Sequence, residues 1–349
     1  MLQKLRLERF RNFTEAEYGL GKKTVVSGDN GSGKTSLLEA IRLLSIGKSL
    51  HGVSFSEAVM FERDSFRLSA TIQQDGKETE VELFFGSPFP GAQVNERHLA
   101  VNGNRTEWLD FIGTLPTVLF LPSDLDIVLG APERRRRYLD GVLFQIDKQF
   151  RYDYLELQKV LRERSALLFS IKIGRAGRDE LGPWNELLVR LTGTVREKRS
   201  ELTTFIGEWL TEKHKIIPGS FGLKYDFSDE DIAALQEQEI KASQNLFGPH
   251  RDEVIFYFND RPARRFSSRG QARLLVLALK AAEADFVASS LGREPLVLLD
   301  DLFSELDEKN GQAALGLFNP GFQVILTKVE QTALKGYDLI NLNNPSRNA

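Results

Sequence analysis

Apolar and polar positions change rhythm along this 349-residue chain, and each rhythm predicts a different element. In 66–72 the apolar residues Phe66, Leu68, Ala70 and Ile72 alternate with polar ones, as do Val81 and Leu83 in 79–84, the period of strands that bury one face. Asp75-Gly76 between them signals a hairpin, and Asn102-Gly103 a further turn, so this part reads as an antiparallel sheet. Thr24-Val25-Val26-Ser27 reads as a short buried strand, followed by Leu37, Leu38, Ile41 and Leu44 at helical spacing. From about Glu133 the pattern turns helical. Leu139, Leu143, Ile146, Phe150, Tyr154, Leu157, Leu161 and Leu168 form one stripe with a single gap, predicting a helix on the order of 50 Å long at 1.5 Å per residue. Leu188, Leu191, Val195, Leu202, Phe205 and Trp209 form a second stripe. Between the stripes, 173–178 and Gly182-Pro183 break any helix, so the two are expected to fold back as an antiparallel hairpin. Narrow stripes fit a projecting arm, and two core helices of a globular second lobe fit as well. Finally, Leu296-Val297-Leu298-Leu299 is an unbroken apolar run, the mark of a buried parallel strand, and 322–327 reads as the last strand.

Chemistry enters where these elements meet. Between the short strand and its helix lies Gly28-Asp29-Asn30-Gly31-Ser32-Gly33-Lys34-Thr35, which fits G-x-x-x-x-G-K-[ST] in the required strand–loop–helix order. Glycines let backbone N–H groups face phosphates, and the helix N-terminus favours an anion. Gly28, Asn30, Gly31, Ser32, Gly33, Lys34, Thr35 and Ser36 are therefore expected to contact a nucleoside triphosphate, ATP, with Lys34 on its β- and γ-phosphates and Thr35 on Mg²⁺. The apolar run ends in Asp300-Asp301, 266 residues beyond Lys34. Asp300 is placed to join the Mg²⁺ shell and Asp301 to orient or polarise the attacking water, so the chain reads as an ATPase interrupted by an insertion.

Composition narrows the class. With 46 basic against 49 acidic residues and a net charge of −3, no global positive field attracts nucleic acid, and any such contact must be local. There is no cysteine, which excludes disulfides and thiolate metal sites and fits a cytoplasmic setting. Histidines at 51, 98, 214 and 250 lack metal-ligand spacing. No run approaches the roughly 18 consecutive apolar residues of a membrane span, so no membrane association is expected.

Two further motifs surround the acids. Ser267-Ser268-Arg269-Gly270-Gln271 resembles the ABC-class L-S-G-G-Q sequence with Arg269 in place of the first glycine, and Ser304-Glu305-Leu306-Asp307 resembles that class's D-loop. In the class, Ser268 and Gly270 would cap a helix facing the γ-phosphate held by another copy, with Gln271 and Asp307 also in nucleotide contact; as a bland alternative, Ser267 or Ser268 serves only as an N-cap. Over most of its length the chain then resembles the RecF family of bacterial recombination-mediator ATPases. The likeness is carried by Leu5–Phe13 ending in Arg11-Asn12-Phe13, by Phe120-Leu121-Pro122-Ser123-Asp124-Leu125, by Ala131-Pro132-Glu133-Arg134-Arg135-Arg136-Arg137-Tyr138-Leu139-Asp140 and by Gly248-Pro249-His250-Arg251-Asp252-Glu253. Ser123 departs from an acidic residue usual in the family, and Thr327 or Lys328 stands where relatives carry a γ-phosphate switch.

The resemblance implies an α/β fold: an ABC-type ATPase head, a mixed sheet flanked by helices with an antiparallel β-subdomain, carrying an inserted helical hairpin lobe. It divides the chain into 1–120 with the P-loop, 121–243 as the inserted helical arm or lobe, and 244–349 with the signature motif and acids. It implies weak, DNA-stimulated ATPase activity with Asp301, Lys34 and Ser268 as its acting residues, an ATP-dependent homodimer, and binding to double-stranded DNA and to single-strand/double-strand junctions. RecR, RecO and the loading of RecA are implied by resemblance alone. A transporter nucleotide-binding subunit shares the ATP motifs, and an ATP-binding DNA clamp without turnover fits them too. Residues 241–280 carry eight Lys or Arg against three acids, which makes Arg251, Arg261, Arg264 and Arg265 candidates for DNA phosphate contacts; solvated surface or internal ion pairs are the bland explanation. Arg134–Arg137 sit where a helix N-terminus disfavours cations, so an acidic balance is expected: DNA, a carboxylate or another protein. Arg135 and Arg136 cannot share a helix face, so at least one should serve structure.

Overall fold

Alternation at Leu5 and Leu7, with Leu2 and Phe10 also fully buried, makes β1 (Leu2–Phe10) a half-buried strand, paired antiparallel with β2 (Phe13–Gly19). The computed structural model describes residues 1–47, 54–74, 76–87, 95–212, 219–305, 308–330 and 334–343. Two compact units divide the chain, Met1–Asp124 with Glu283–Ala349, and Leu125–Ala282.

In the first unit β3 (Lys23–Ser27) runs through the glycine loop into α1 (Lys34–Ile46), and a single turn α2 (Phe55–Ala58) follows. The predicted hairpin is β4 (Ser65–Gln74) against β5 (Lys77–Gly86), in register from Gln74↔Lys77 to Ser65↔Gly86; Asp75 lies outside the described residues. Asn102 and Gly103 turn β6 (Glu96–Val101) into β7 (Asn104–Arg105) with φ of 51° and 73°, the left-handed pair that such a turn needs. These strands form an antiparallel sheet ordered β2-β1-β4-β5-β6-β7. After α3 (Trp108–Phe111), β8 (Thr117–Phe120) begins a second, parallel sheet.

The second unit opens with α4 (Leu125–Leu129) and α5 (Pro132–Ile146). The single long helix expected through Leu168 is two: the backbone leaves helical geometry at Asp147, whose carboxylate caps α6 (Lys148–Lys172) by accepting the Phe150 N–H at 3.0 Å. Both halves keep the same apolar period, which hides the break. α6 and α7 (Leu181–Glu212) form the antiparallel hairpin, tied by Arg164–Asn185 at 2.9 Å, Arg190–Glu156 at 3.0 Å and Lys198–Asp147 at 3.5 Å. Gly182-Pro183, expected to break helix, lies in the first turn of α7, where proline's missing N–H costs nothing. The hairpin is no bare arm. β9 (Phe221–Asp226) packs on α7 and α8 (Ile232–Ala242) on α6, while β10 (Glu253–Phe258) packs on α5; Arg164 is wholly buried, paired with Glu239 of α8 at 2.5 Å and bonded to Asn245 at 2.7 Å. β11 (Arg261–Pro262), α9 (Ala263–Phe266) and α10 (Arg269–Leu291) follow, the unit boundary falling inside α10.

Back in the first unit come β12 (Leu296–Leu299), α11 (Leu302–Glu305), α12 (Glu308–Leu315), β13 (Gln323–Lys328) and β14 (Asp338–Asn341). They complete the parallel sheet β14-β3-β13-β12-β8, in which all four β12 residues are buried, as the apolar run predicts. Leu37, Leu38 and Ile41 of α1 share a core with Leu5, Leu68 and Leu83 of one sheet and Leu298 and Ile325 of the other. Each such side chain contributes about 1.5–3 kcal/mol, so the helix behind the glycine loop is held from both sides.

Candidate functional site

Three neighbouring parallel strands, β3, β13 and β12, end at one edge of their sheet, where open α/β sheets place ligand sites. β3 delivers the glycine loop. Gly31 and Gly33 take φ of 82° and 106°, and a Cβ on Gly33 would stand 2.7 Å from Phe13 Cζ and 2.8 Å from the Asn12 side chain. The loop is thus a cradle that only glycine completes. Ser32 Oγ is buried with no hydrogen-bond partner. Lys34 is buried and donates to the carbonyls of Gly28 at 2.7 Å and Asp29 at 2.9 Å, which leaves one ammonium proton uncommitted to them. An unpartnered hydroxyl, a buried cation and a helix N-terminus with no acid in its first turn all fit a polyphosphate.

β12 delivers the acids. Thr35 Oγ1 donates to Asp300 Oδ2 at 3.0 Å, and Thr327 Oγ1, fully buried at the end of β13, donates to Asp300 Oδ1 at 2.7 Å. The same Thr327 oxygen accepts the Asp301 N–H at 2.8 Å, while Asp301 itself holds a left-handed φ of 51°. Strain of that kind at a non-glycine residue persists where surrounding bonds enforce it. Burial pushes the Asp300 carboxyl above its ordinary value; the Thr327 and Thr35 hydroxyls pull it back. Of the two switch positions, Thr327 bonds both acids, and Lys328 pairs with Glu330 at 2.7 Å. The oxygens of Thr35 and Asp300 suit a hard divalent cation such as Mg²⁺.

The cleft so formed measures about 530 Å³ and is lined by Asn30, Gly31, Gly33, Lys34, Thr35, Ser36, Asp300 and Asp301, with Arg11, Asn12, Glu57, Val59, Pro122 and Val329. Spacing alone does not assign Arg11 and Asn12 to it. Asn12 Nδ2 holds the Ser32 carbonyl at 3.0 Å, and Arg11 is fixed by Glu39 through two bonds of 2.8 Å. The sequence signal for them is the Arg-Asn pair closing β1, where φ at Arg9 and Arg11 is 54° and 53°.

The signature residues belong to the second unit. Ser268 and Gln271 form a reciprocal cap: Ser268 Oγ accepts the Gln271 N–H at 3.3 Å, and Gln271 Oε1 accepts the Ser268 N–H at 2.7 Å. Ser268, Arg269 and Gly270 are exposed, and a Cβ on Gly270 would meet nothing within 4 Å. Asp307 lies outside the described residues. Among the arginine candidates, all exposed, Arg251 donates to the Asn245 carbonyl at 2.8 and 3.1 Å, whereas Arg261, Arg264 and Arg265 make no ion pair among the described residues. Asp252 beside Arg251 is a buried hub, accepting from Arg196 at 2.8 Å and Tyr225 at 2.5 Å. Two members of the Arg134–Arg137 run serve structure: Arg135 is buried and paired with Glu253 at 2.8 Å, and Arg136 donates to the Asp252 carbonyl at 2.7 Å; Arg137 pairs with Glu133 at 2.5 Å. No described helix is long and apolar enough to cross a membrane.

Residues 1–342 match the family model described as RecF/RecN/SMC N terminal domain. The DNA replication and repair protein RecF of Gloeobacter violaceus is 34% identical over 347 residues, covering 93% of this chain and 91% of that protein. A solved structure of the recombination mediator protein RecF with ATPrS, in the RecFOR pathway, superposes with a TM-score of 0.88 at 28% identity over 98% of this chain and 95% of that one. Its counterpart with ATP gives 0.85 at 28% identity over 97% and 95%.

Proposed function

The chain belongs to the RecF family of DNA replication and repair proteins, with an SMC-like ATPase head, and from that premise we propose that it is an ATP-driven switch on DNA. Two copies close head to tail around two ATP molecules, the closed dimer clamps duplex DNA near a single-strand gap, and slow hydrolysis releases it. RecO and RecR are its partners on this reading, supported by the RecFOR pathway named for the solved relatives, and RecA loading is the proposed outcome.

The observation that carries this reading is the start of α10. No described acceptor of this chain faces the N–H groups of Arg269 and Gly270. Ser268 Oγ, already accepting from Gln271, keeps its own proton to donate. Glycine inside a helix costs roughly 0.5–1 kcal/mol relative to alanine, and no described residue requires it at 270. An anion held by another molecule accounts for all three features.

Within one copy, Lys34 and the loop amides bind the β- and γ-phosphates, and Ser36 extends the amide cradle. Thr35 and Asp300 would hold Mg²⁺, which neutralises phosphate charge and fixes phosphate geometry. Thr327 orients Asp300 from behind and anchors the Asp301 backbone. Asp301 accepts the proton of a water whose oxygen bonds to the γ-phosphorus as the bond to the bridging oxygen breaks. Ser268 of the second copy donates to the γ-phosphate, which makes ATP the adhesive between copies. Arg251, Arg261, Arg264 and Arg265 contact DNA phosphates.

Sizing the protein with ADP, with ATP and as Ser268→Arg tests closure: ATP should give a dimer that the variant cannot form, and a monomer throughout would remove the mechanism. Phosphate release by Lys34→Ala and Asp301→Asn proteins, with and without DNA, tests turnover. Equal release by the unmodified protein and both variants would end the enzymatic reading.

A further inference from the structure

Phe266 is an aromatic that the fold does not use. Its side chain is 56% exposed at the end of α9, although a phenylalanine in that position gains nothing from water. Its anchor is rigid. Ala263, at the start of the same turn, is fully buried, and Ser267 locks the turn by donating both N–H (3.0 Å) and Oγ (2.6 Å) to the Ala263 carbonyl. Arg261 rises beside it from β11, whose register on β10 is fixed by the two-residue turn Asn259-Asp260, both left-handed. The Arg261 guanidinium lies 5.7 Å from the Phe266 ring centroid.

The surroundings are cationic and uncommitted. Arg261, Arg264, Arg265 and Arg269 are all exposed and none makes an ion pair among the described residues, with Asp260 the single acid between 257 and 270. A solvated arginine cluster would need no aromatic within it, and a hydrophobic protein contact would not set its apolar residue in a stretch that carries four arginines between 261 and 269. An aromatic face beside unpaired guanidinium groups matches a nucleobase with its phosphate: the ring stacks, and the arginines neutralise.

We propose that Phe266, braced by Arg261, is a nucleobase-stacking site, and that Arg264 and Arg265 hold the adjoining phosphates. The inference rests on the DNA reading above and deepens it: backbone contacts hold paired DNA of any sequence, whereas Phe266 engages an unstacked base, the feature that separates a gap from continuous duplex. The same chemistry is also met by the adenine of a nucleotide carried by a second copy, and the test separates the two sources.

Full-length protein is titrated, with ATP, into a gapped duplex carrying 2-aminopurine at the junction and into the same duplex fully paired, at several salt concentrations. Phe266→Ala should weaken gapped DNA binding about tenfold, within the range that base–aromatic stacking supplies, abolish 2-aminopurine quenching and leave the paired duplex unchanged; Phe266→Trp should restore both signals. Arg264→Gln/Arg265→Gln should weaken both DNAs and lower the log–log salt slope by about two. A loss by Phe266→Ala confined to ATP-dependent dimer formation without DNA assigns the base to the nucleotide. Wild-type behaviour of Phe266→Ala in every arm overturns the stacking site, even where the arginine pair loses DNA. Arginine variants that bind both DNAs normally overturn the DNA reading itself.

Discussion

Replacing Thr327 by valine removes one hydroxyl of nearly unchanged shape from the buried end of β13, and with it two bonds. Asp300 loses a donor at 2.7 Å and the Asp301 N–H loses an acceptor at 2.8 Å. A hydrogen bond to a charged acceptor is worth about 1.5–3 kcal/mol, which at about 1.4 kcal/mol per factor of ten is about 10- to 100-fold in binding. The orphaned N–H adds about 1–3 kcal/mol of instability. Because the lost bond favours ionised Asp300, the variant should lose the Mg²⁺-dependent part of ATP affinity by that factor, while Mg²⁺-free binding to the Lys34 loop stays. Burial already holds the Asp300 carboxyl above its usual value. Its proton therefore persists to higher pH than on an ordinary carboxylate, and Mg²⁺-dependent binding should grow as pH rises through that value. Thr327→Val moves the rise to still higher pH; Thr327→Ser, keeping the hydroxyl, returns it. Calorimetric titration of ATP with and without Mg²⁺ across pH reads both effects. Undiminished Mg²⁺-ATP affinity in Thr327→Val, with an unmoved pH profile, refutes the role of this bridge.

Gly270→Ala should stabilise the monomer by up to about 1 kcal/mol in urea unfolding and weaken the ATP-dependent dimer measured by light scattering; a dimer of full strength means that nothing approaches Gly270. Ser268→Ala should cost about 1 kcal/mol of stability through the lost cap, so its larger loss of dimer must be read against that value. Arg164→Met leaves Glu239 charged without its ion-pair partner in a site of 0% exposure and should cost about 3–5 kcal/mol; Arg164→Met/Glu239→Gln, which keeps an acceptor for the Leu246 and Phe247 N–H groups, should recover part of it. His250 bonds Asn245 O through Nε2, its buried Nδ1 has no partner, and burial lowers its pKa. The unfolded chain then binds more protons below about pH 6.5, so stability should fall as pH drops through that region; His250→Gln should flatten the fall in urea titrations.

Local spacing made the glycine loop, the acids after β12 and the hairpin strands legible, because each is a contiguous pattern whose physics acts over a few residues. Other features have no contiguous signature. The break at Asp147 is masked because its flanking helices share one apolar period, and only the side-chain cap distinguishes a new start from a continuation. No contiguous pattern marks Arg164 and Arg199, which are buried because Glu239 and Asp140 arrive from distant segments to pair with them. The role of Asp252 as a buried hub likewise required a partner far along the chain, Arg196.

By itself the sequence determined that a glycine loop of the phosphate-binding pattern and a pair of carboxylates exist, since glycine spacing and an apolar run ending in acid specify their own backbone geometry. Only the tertiary structure decided that Thr327 joins the two acids, that Arg11 and Asn12 line the cleft, and that Phe266 stands in solvent beside Arg261. Such contacts arise where strands remote in sequence end side by side or where packing leaves a side chain uncovered, and no periodicity along the chain encodes either.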